Sequence, residues 1–211
     1  MFLETIPESQ CSDTVKAMYE RQKNHYGYLP NYAAVFAHRP EVLNAWSALI
    51  STIRTHTDGE TYELITLAAA LELGNSYCSL AHGDMLNKRL YSVEEVIAIA
   101  RQEDLDKLSS RHKSMMELAR KVVRNSSRIV SEDIEALRVE GLTEGEIFDT
   151  VAIASARCFF AKLVDGLGAQ PDVDYRELDA RMREELSRGR AIATSRSESD
   201  TPVEDYSDSI I

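Results

Sequence analysis

The sequence predicts an all-α protein, a bundle of about eight to ten helices arranged around a central helix hairpin. Three observations support this fold class. Glycine and proline are few, with 9 and 5 residues in a chain of 211. Strong alternation of apolar and polar residues, the pattern of half-buried strands, is absent from the sequence. Helix start and stop signals recur along the chain instead.

The N-terminal part of the chain predicts three helices. The first covers Cys11–Tyr26 and ends in the Gly- and Pro-containing turn at 27–31. A short helix is expected at Asn31–His38. The third begins at Arg39-Pro40 and continues to about Thr55, because proline is tolerated in the first turn of a helix.

The central hairpin is predicted at Glu63–Lys88. Residues 64–71, LITLAAAL, are apolar on every side except at Thr66, which is typical of a helix buried all round. Gly74 can end this helix, because glycine adopts the left-handed conformation at little cost. Asn75 can then cap a second helix by accepting a backbone N–H.

The C-terminal half predicts further helices, two of which follow capping boxes of the Ser/Thr-x-x-Glu type. They are expected at 93–101, 109–125, 131–140, 143–165 and 174–187. From Gly189 to Ile211 the chain is rich in serine and charge, and it is poor in large apolar residues. Such a segment cannot bury enough surface to offset its ordering entropy. We therefore expect a single domain at 1–188 and a disordered acidic tail at 189–211.

The acidic composition narrows the classes of partner. The net charge is −11 and the pI is near 5.0, so neither nucleic acid nor an anionic membrane is expected as a partner. No run of ~18 apolar residues, the length that spans a membrane, occurs in the chain. The N-terminus lacks the basic and apolar regions of a secretory signal. Three widely separated cysteines, Cys11, Cys78 and Cys158, favour a reducing, cytoplasmic location.

Cys78 and His82 are the leading candidates for chemistry. Cys78 is expected at about the third position of the second central helix, and His82 follows one turn later on the same face. The positive end of a helix dipole and a nearby imidazole both lower the pKa of a cysteine. A reactive thiolate with His82 as general acid or base is one interpretation. A buried, inert cysteine and a structural histidine are the alternative, and that inert state is expected for Cys158.

Three neighbours complete the candidate site. Glu63 can interact with the helix dipole or join a proton relay. In an antiparallel hairpin it lies about one turn, ~6 Å, beyond His82. Asn75 is interpreted chiefly as a cap and secondarily as a polar group near the thiol. Tyr77 either offers its hydroxyl to the site or lies at a surface. No phosphate loop, Cys-x-x-Cys pair or HExxH motif is present, so no cofactor or metal site is predicted.

The spacing of Glu63, Asn75, Cys78 and His82 resembles the core motif of the carboxymuconolactone decarboxylase and alkylhydroperoxidase D (AhpD-like) family. In that motif a glutamate precedes Cys-x-x-Cys, and a histidine follows the second cysteine. Asn75 stands here at the position of the first cysteine. The segment Gly27–Trp46, with its Gly-x-x-Pro-Asn turn and His-x-Pro-Glu-Val-Leu helix start, is similar to the peroxidase-related branch.

The resemblance implies an AhpD-like helical bundle that assembles as a trimer or hexamer, with Glu63 and His82 moving the proton of Cys78. It implies an antioxidant, peroxidase-type oxidoreductase as the first hypothesis. Because Asn75 removes the internal disulfide, an external thiol would have to restore Cys78 after it reacts with peroxide. A non-redox decarboxylase or lactone-handling enzyme using His82, and a catalytically silent binding protein on the same fold, are the alternatives.

Overall fold

The computed structural model describes residues 1–6, 8–103 and 106–196. Over these residues the chain forms α-helices and short 3₁₀ turns and no strand, so the predicted all-α class is confirmed. The ten α-helices of this described part are α1 Asp13–Tyr26, α2 Asn31–Phe36, α3 Pro40–Ile53, α4 Gly59–Glu72, α5 Ser76–Arg89, α6 Val93–Arg101, α7 Ser110–Asn125, α8 Ser131–Val139, α9 Glu144–Gly166 and α10 Ala180–Leu186.

The helix starts follow the capping signals of the sequence. Ser92 begins α6 and Thr143 begins α9, and in each case the side chain accepts from the backbone N–H three residues on. Glu95 and Glu146 complete the two capping boxes by accepting from the cap residue's own N–H. These reciprocal bonds satisfy amides that the first helical turn leaves free.

Helix α4 forms the centre of the bundle. It packs against α5, α7 and α9, and Leu64 and Leu67 have no exposed surface. Its apolar sequence therefore reflects burial on all sides, as predicted. The turn at Gly74, with φ of +66°, reverses the chain so that α5 runs back along α4.

Besides the core around α4, an aromatic cluster lies at the end of the bundle where α5 begins. It joins α2, α5 and α9 through Tyr32, Phe36, Tyr77 and Phe160, whose rings meet edge-on or stacked. Cys78 belongs to this cluster. The first candidate residue therefore lies in an apolar, enclosed part of the molecule.

The predicted last helix is split. Residues Val173–Glu177 form a 3₁₀ turn, and α10 begins only after Asp179. The carboxylate of Asp179 accepts the backbone N–H groups of Arg181 and Met182. This cap fixes a new helix start inside a segment whose apolar pattern alone predicts one continuous helix.

The described part of the predicted tail, residues 189–196, packs against the bundle and so differs from the expectation of disorder. The Gly189 N–H donates to Ser76 Oγ at 2.7 Å, and Arg190 donates to the carbonyl oxygen of Asp165. Ile192 and Ala193 are buried. These contacts come from two apolar side chains and from an arginine that binds a carbonyl oxygen at the end of α9. Composition alone does not indicate them. Residues 197–211 lie outside the described residues.

Candidate functional site

The turn between α4 and α5 positions the cysteine. Asn75 Oδ1 accepts the backbone N–H of Cys78 at 2.7 Å, and Asn75 Nδ2 donates to the carbonyl oxygen of Ala161 at 3.4 Å. The predicted cap is therefore confirmed. The same bond occupies the amide that would otherwise direct the positive end of α5 toward the sulfur.

Cys78 is 2% exposed, and its sulfur contacts a buried arginine. Arg157 Nη1, from α9, donates to Cys78 Sγ at 3.3 Å. The guanidinium also lies over the rings of Trp46 and Phe160, at 5.6 and 5.5 Å from their centroids. A cation and a thiol thus face each other inside an aromatic enclosure.

The electrostatics at the thiol differ from the sequence-based expectation. Burial raises the pKa of Cys78, and the neighbouring Arg157 opposes that shift. The Cys78 N–H donates to Asn75 Oδ1, so this amide is not available to stabilise a thiolate directly. The expected lowering by an adjacent imidazole is not observed, because Nδ1 of His82 faces Glu63 and the described residues show no hydrogen bond between the ring and Cys78.

His82 and Glu63 form a direct pair across the hairpin. His82 Nδ1 donates to Glu63 Oε2 at 2.5 Å, and the two side chains are 15% and 11% exposed. The separation of about one turn is closed by the side chains, without a bridging group. His82 Nε2 is left as the nitrogen that can accept a proton.

The charges around this pair favour an ionised Glu63 and a neutral His82. Burial opposes ionisation of Glu63, but His82, Arg54 and Arg157 outweigh it and hold the pKa of Glu63 below its usual value. Burial lowers the pKa of His82, which the carboxylate of Glu63 only partly offsets. The imidazole is therefore a proton acceptor near neutral pH.

Tyr62 connects the two pairs. Its hydroxyl accepts from Arg157 Nη2 at 3.4 Å, and its ring meets that of His82 with centroids 6.1 Å apart. Arg54 lies over the outer side of the Tyr62 ring, at 4.5 Å. Among the described residues no hydrogen bond joins Cys78 to His82 or Glu63. Of the predicted residues, His82 and Glu63 form a pair, whereas Cys78 pairs instead with Arg157, a residue that was not predicted.

Arg157 is the functional candidate that sequence reasoning missed. It is 4% exposed, and in the part of the chain that the structure describes no carboxylate lies within ion-pair distance of it. A buried unpaired charge is costly, several kcal/mol before compensation. The only signal in the sequence is a lone arginine on the buried face of the apolar helix α9, 79 residues from Cys78.

Tyr77 faces a buried carboxylate. Its hydroxyl donates to Asp172 Oδ2 at 2.6 Å and accepts the backbone N–H of Tyr32 at 3.3 Å. Asp172 also accepts from the Tyr28 hydroxyl at 3.2 Å and from the Asn31 N–H at 2.7 Å. Tyr77 therefore ties α5 to the turn before α2, and its hydroxyl is not directed at the thiol. Burial raises the pKa of Asp172 to about 6, against the hydrogen bonds that lower it.

The remaining cysteines and acids form no second centre in the described chain. Cys11 is buried and Cys158 is only partly buried, so the expected full burial of Cys158 is not observed. Cys158 forms no disulfide, and the thiol of Cys11 donates to the carbonyl oxygen of Ile6 at 3.9 Å. Over residues 1–6, 8–103 and 106–196, no group of three His, Cys, Asp or Glu side chains is arranged to hold a metal ion. Nor does any described helix combine the length and apolar character needed to cross a membrane.

Comparison with known proteins identifies related folds. Residues 40–121 match the model of the carboxymuconolactone decarboxylase family. No curated protein matches the sequence. Among solved structures, the AhpD-core, peroxidase-related protein from Ralstonia eutropha JMP134 is similar with a TM-score of 0.72 and 22% identity. This match covers 82% of the present chain and 93% of the Ralstonia protein.

Two further structures show the same fold. A peroxidase-related protein from Silicibacter sp. TM1040 has a TM-score of 0.73 and 21% identity, covering 83% of this chain and 94% of that one. The debrominase Bmp8 has a TM-score of 0.69 and 14% identity, covering 86% of this chain and 96% of that one. At these identities the likeness concerns the fold. Residues 40–121 are therefore similar to the carboxymuconolactone decarboxylase family, and the chain has an AhpD-like fold.

Proposed function

We propose that the protein is a thiol peroxidase in which Cys78 reduces a peroxide and an external thiol restores the cysteine. The observation that carries the proposal is the hydrogen bond from buried Arg157 to Cys78 Sγ. A thiolate at Cys78 places a negative charge in direct contact with the guanidinium, which a neutral thiol does not. Two unit charges ~4 Å apart at an effective dielectric constant of ~20 attract by about 4 kcal/mol. Arg157 therefore favours the ionised form of Cys78, against the burial that raises the pKa of its thiol.

The imidazole–carboxylate pair supplies the proton transfer. Neutral His82 lies one helical turn from Cys78 on α5 and takes the thiol proton on Nε2. The carboxylate of Glu63 then holds the imidazolium through the existing contact. Because the pKa of His82 is lowered by burial, the imidazolium is acidic enough to return that proton later in the cycle.

The reaction balances with these groups. The Cys78 thiolate attacks the terminal oxygen of the hydroperoxide, an S–O bond forms and the O–O bond breaks. The sulfur is oxidised to sulfenic acid, and the electron pair leaves on the other oxygen. That oxygen takes the proton from His82 and departs as an alcohol, or as water when the substrate is hydrogen peroxide.

The return step uses a thiol from outside the site. Asn75 stands where the motif has its first cysteine, and the side chain of Asn75 caps α5. The sulfenic acid therefore condenses with an external thiol, releasing water and forming a mixed disulfide. A second external thiol then displaces Cys78 as a free thiol and leaves as the oxidised reductant.

Peroxide consumption in the presence of a small-thiol reductant tests the proposal. Cys78→Ser is expected to abolish protein-dependent turnover. Cys158→Ser, which removes a free thiol on α9 that is only partly buried, is the matched control and is expected to retain it. Equal rates for the wild type and Cys78→Ser reject the peroxidase.

A second candidate function rests on the His82–Glu63 contact. The pair is partly exposed and forms no hydrogen bond with Cys78, an arrangement that also suits acid–base chemistry on a carbonyl or lactone substrate. A screen of decarboxylation and lactone-opening substrates discriminates the two. Loss of activity in His82→Gln with full activity in Cys78→Ser favours this alternative. Inertness of both sites, including no alkylation of Cys78, favours a binding protein.

We also propose that the chain assembles as a homo-oligomer, a trimer or hexamer. Large apolar side chains lie exposed on α3 and α9: Leu49, Phe148 and Phe159 are 51%, 70% and 46% exposed. These two helices pack against each other, so the residues belong to neighbouring elements. Burial of such side chains between subunits would stabilise an assembly.

A further inference from the structure

We infer that Arg157 is a catalytic residue of this reaction, whose guanidinium binds the peroxide oxygen as well as the sulfur. The inference rests on the proposed function. It adds a role for a residue that the four-residue motif does not contain. It also places the stabilisation of the leaving oxygen on α9, outside the hairpin that carries the cysteine and the histidine.

The hydrogen bonds of Arg157 leave donors free. Of its five N–H groups, one on Nη1 donates to Cys78 Sγ at 3.3 Å and one on Nη2 donates to the Tyr62 hydroxyl at 3.4 Å. Its Nε is buried and has no partner in the described part of the chain. Buried donors are nearly always satisfied in a folded protein. An arginine held this way can donate to a further oxygen.

Other donors around the sulfur are engaged within the fold. The backbone N–H of Cys78 donates to Asn75 Oδ1, and the amide nitrogen of Asn75 donates to Ala161. The hydroxyl of Tyr77, the neighbour of Cys78 in the chain, donates to Asp172. Of the groups around Sγ, Arg157 is the one with a buried N–H that has no partner in the described chain, and this donor is available to a substrate oxygen.

The chemistry requires a donor at this position. As the S–O bond forms, negative charge moves from the sulfur to the leaving oxygen across the breaking O–O bond. A cation that touches both atoms keeps the charge balanced throughout, and its effect is large in a water-excluded enclosure. Arginine cannot be deprotonated in a protein, so Arg157 holds the charge while His82 supplies the proton.

The enclosure also indicates the size of the substrate. Cys78 clusters with Tyr32, Phe36 and Phe160 and is nearly inaccessible from solvent. The substrate class that this arrangement favours is hydrogen peroxide or a small alkyl hydroperoxide, which needs one donor for its leaving oxygen and no charged tail.

The test compares two electrophiles on the same sulfur. Rate constants for hydrogen peroxide and for iodoacetamide are measured per thiolate, after the pKa of Cys78 has been obtained from the pH dependence of alkylation. If Arg157 binds the leaving oxygen, Arg157→Lys lowers the ratio of the peroxide rate to the iodoacetamide rate about 100-fold. If Arg157 only stabilises the thiolate, both rates change equally and the ratio is unchanged, which overturns the inference. Arg120→Lys, at a buried arginine paired with Glu117, is the matched control and leaves the ratio unchanged.

A comparison within the wild type keeps the inference testable even where Arg157→Lys does not fold. The same ratio is measured for the thiolate of a small free thiol such as N-acetylcysteine. The inference expects the ratio for Cys78 to exceed it by about 100-fold, and equal ratios overturn the inference. A Cys78 that is alkylated but never oxidised by peroxide overturns the proposed function, and the role of Arg157 with it.

Discussion

Asp172 provides a pH-dependent test of the hydrogen bonds that join α5 to the turn before α2, next to Cys78. It is 3% exposed and binds three donors from two separate segments. Its pKa is raised from 3.8 to about 6 by burial. The folded protein therefore binds this proton more tightly than the unfolded chain does, and ionised Asp172 opposes folding.

The direction and size of the pH effect on the free energy of unfolding follow from the difference in proton binding between the folded and unfolded states. Below pH ~4 the carboxyl is protonated in both states and contributes no penalty. As the pH rises from ~4 to ~6, the carboxyl ionises in the unfolded chain while it stays largely protonated in the folded protein, and the free energy of unfolding falls. Two pKa units at 1.36 kcal/mol each correspond to about 3 kcal/mol lost between pH 4 and 7. The Asp172→Asn variant keeps an oxygen acceptor but cannot ionise, so its stability lacks this loss.

The assay is denaturant unfolding of the wild type and Asp172→Asn at several pH values from 4 to 7. The difference in unfolding free energy between the two proteins is expected to change by about 3 kcal/mol over that range, in the direction that favours the variant at high pH. Asp84→Asn, which removes a surface carboxylate paired with Lys88, controls for the loss of one negative charge. A flat difference, or one of opposite sign, refutes the account of Asp172.

Three further predictions follow from other contacts. His82→Gln should lower the peroxidase rate about 10²–10⁴-fold near neutral pH because the proton acceptor is lost; an unchanged rate in the turnover assay contradicts the relay. Gly189→Ala should lower the unfolding free energy by about 1–3 kcal/mol, because an added Cβ would lie 2.2 Å from the carbonyl oxygen of Gly74. Thermal unfolding measures this loss, and Gly166→Ala, where an added Cβ would have no atom within 4 Å, is the control. Phe148→Asp should shift the mass in light scattering toward the monomer, whereas Glu135→Asp on α8 should not, and an unchanged assembly for Phe148→Asp removes this residue from the subunit interface.

Much of the fold could be predicted from the sequence because its signals are local. Gly74 and Asn75 mark the hairpin through backbone conformation and capping, and both act there as predicted. The capping box at Ser92 fixes the start of α6 for the same reason. Segments that depend on distant contacts were less predictable. Ile192 and Ala193 are too short an apolar run to indicate packing, yet they are buried.

The site residues also fall into those that local sequence signals predict and those that depend on distant contacts. Glu63 and His82 pair directly because the hairpin brings residues of neighbouring helices together, and the motif spacing contains that information. Arg157 and Asp172 reach the cysteine environment from α9 and the loop after it, and no local pattern indicates where their side chains end. The electrostatic state of Cys78 depends on burial and on the distant residues Arg157 and Asp165, so its raised pKa could not be inferred from its place in α5.

The most direct test of the account is the mass of Cys78 after exposure to a small excess of hydrogen peroxide with a 1,3-dione present to trap sulfenic acid. The account predicts one dione adduct, located by peptide mass spectrometry on Cys78 and absent from Cys11 and Cys158. An unmodified Cys78 under conditions that oxidise a free thiol would contradict it.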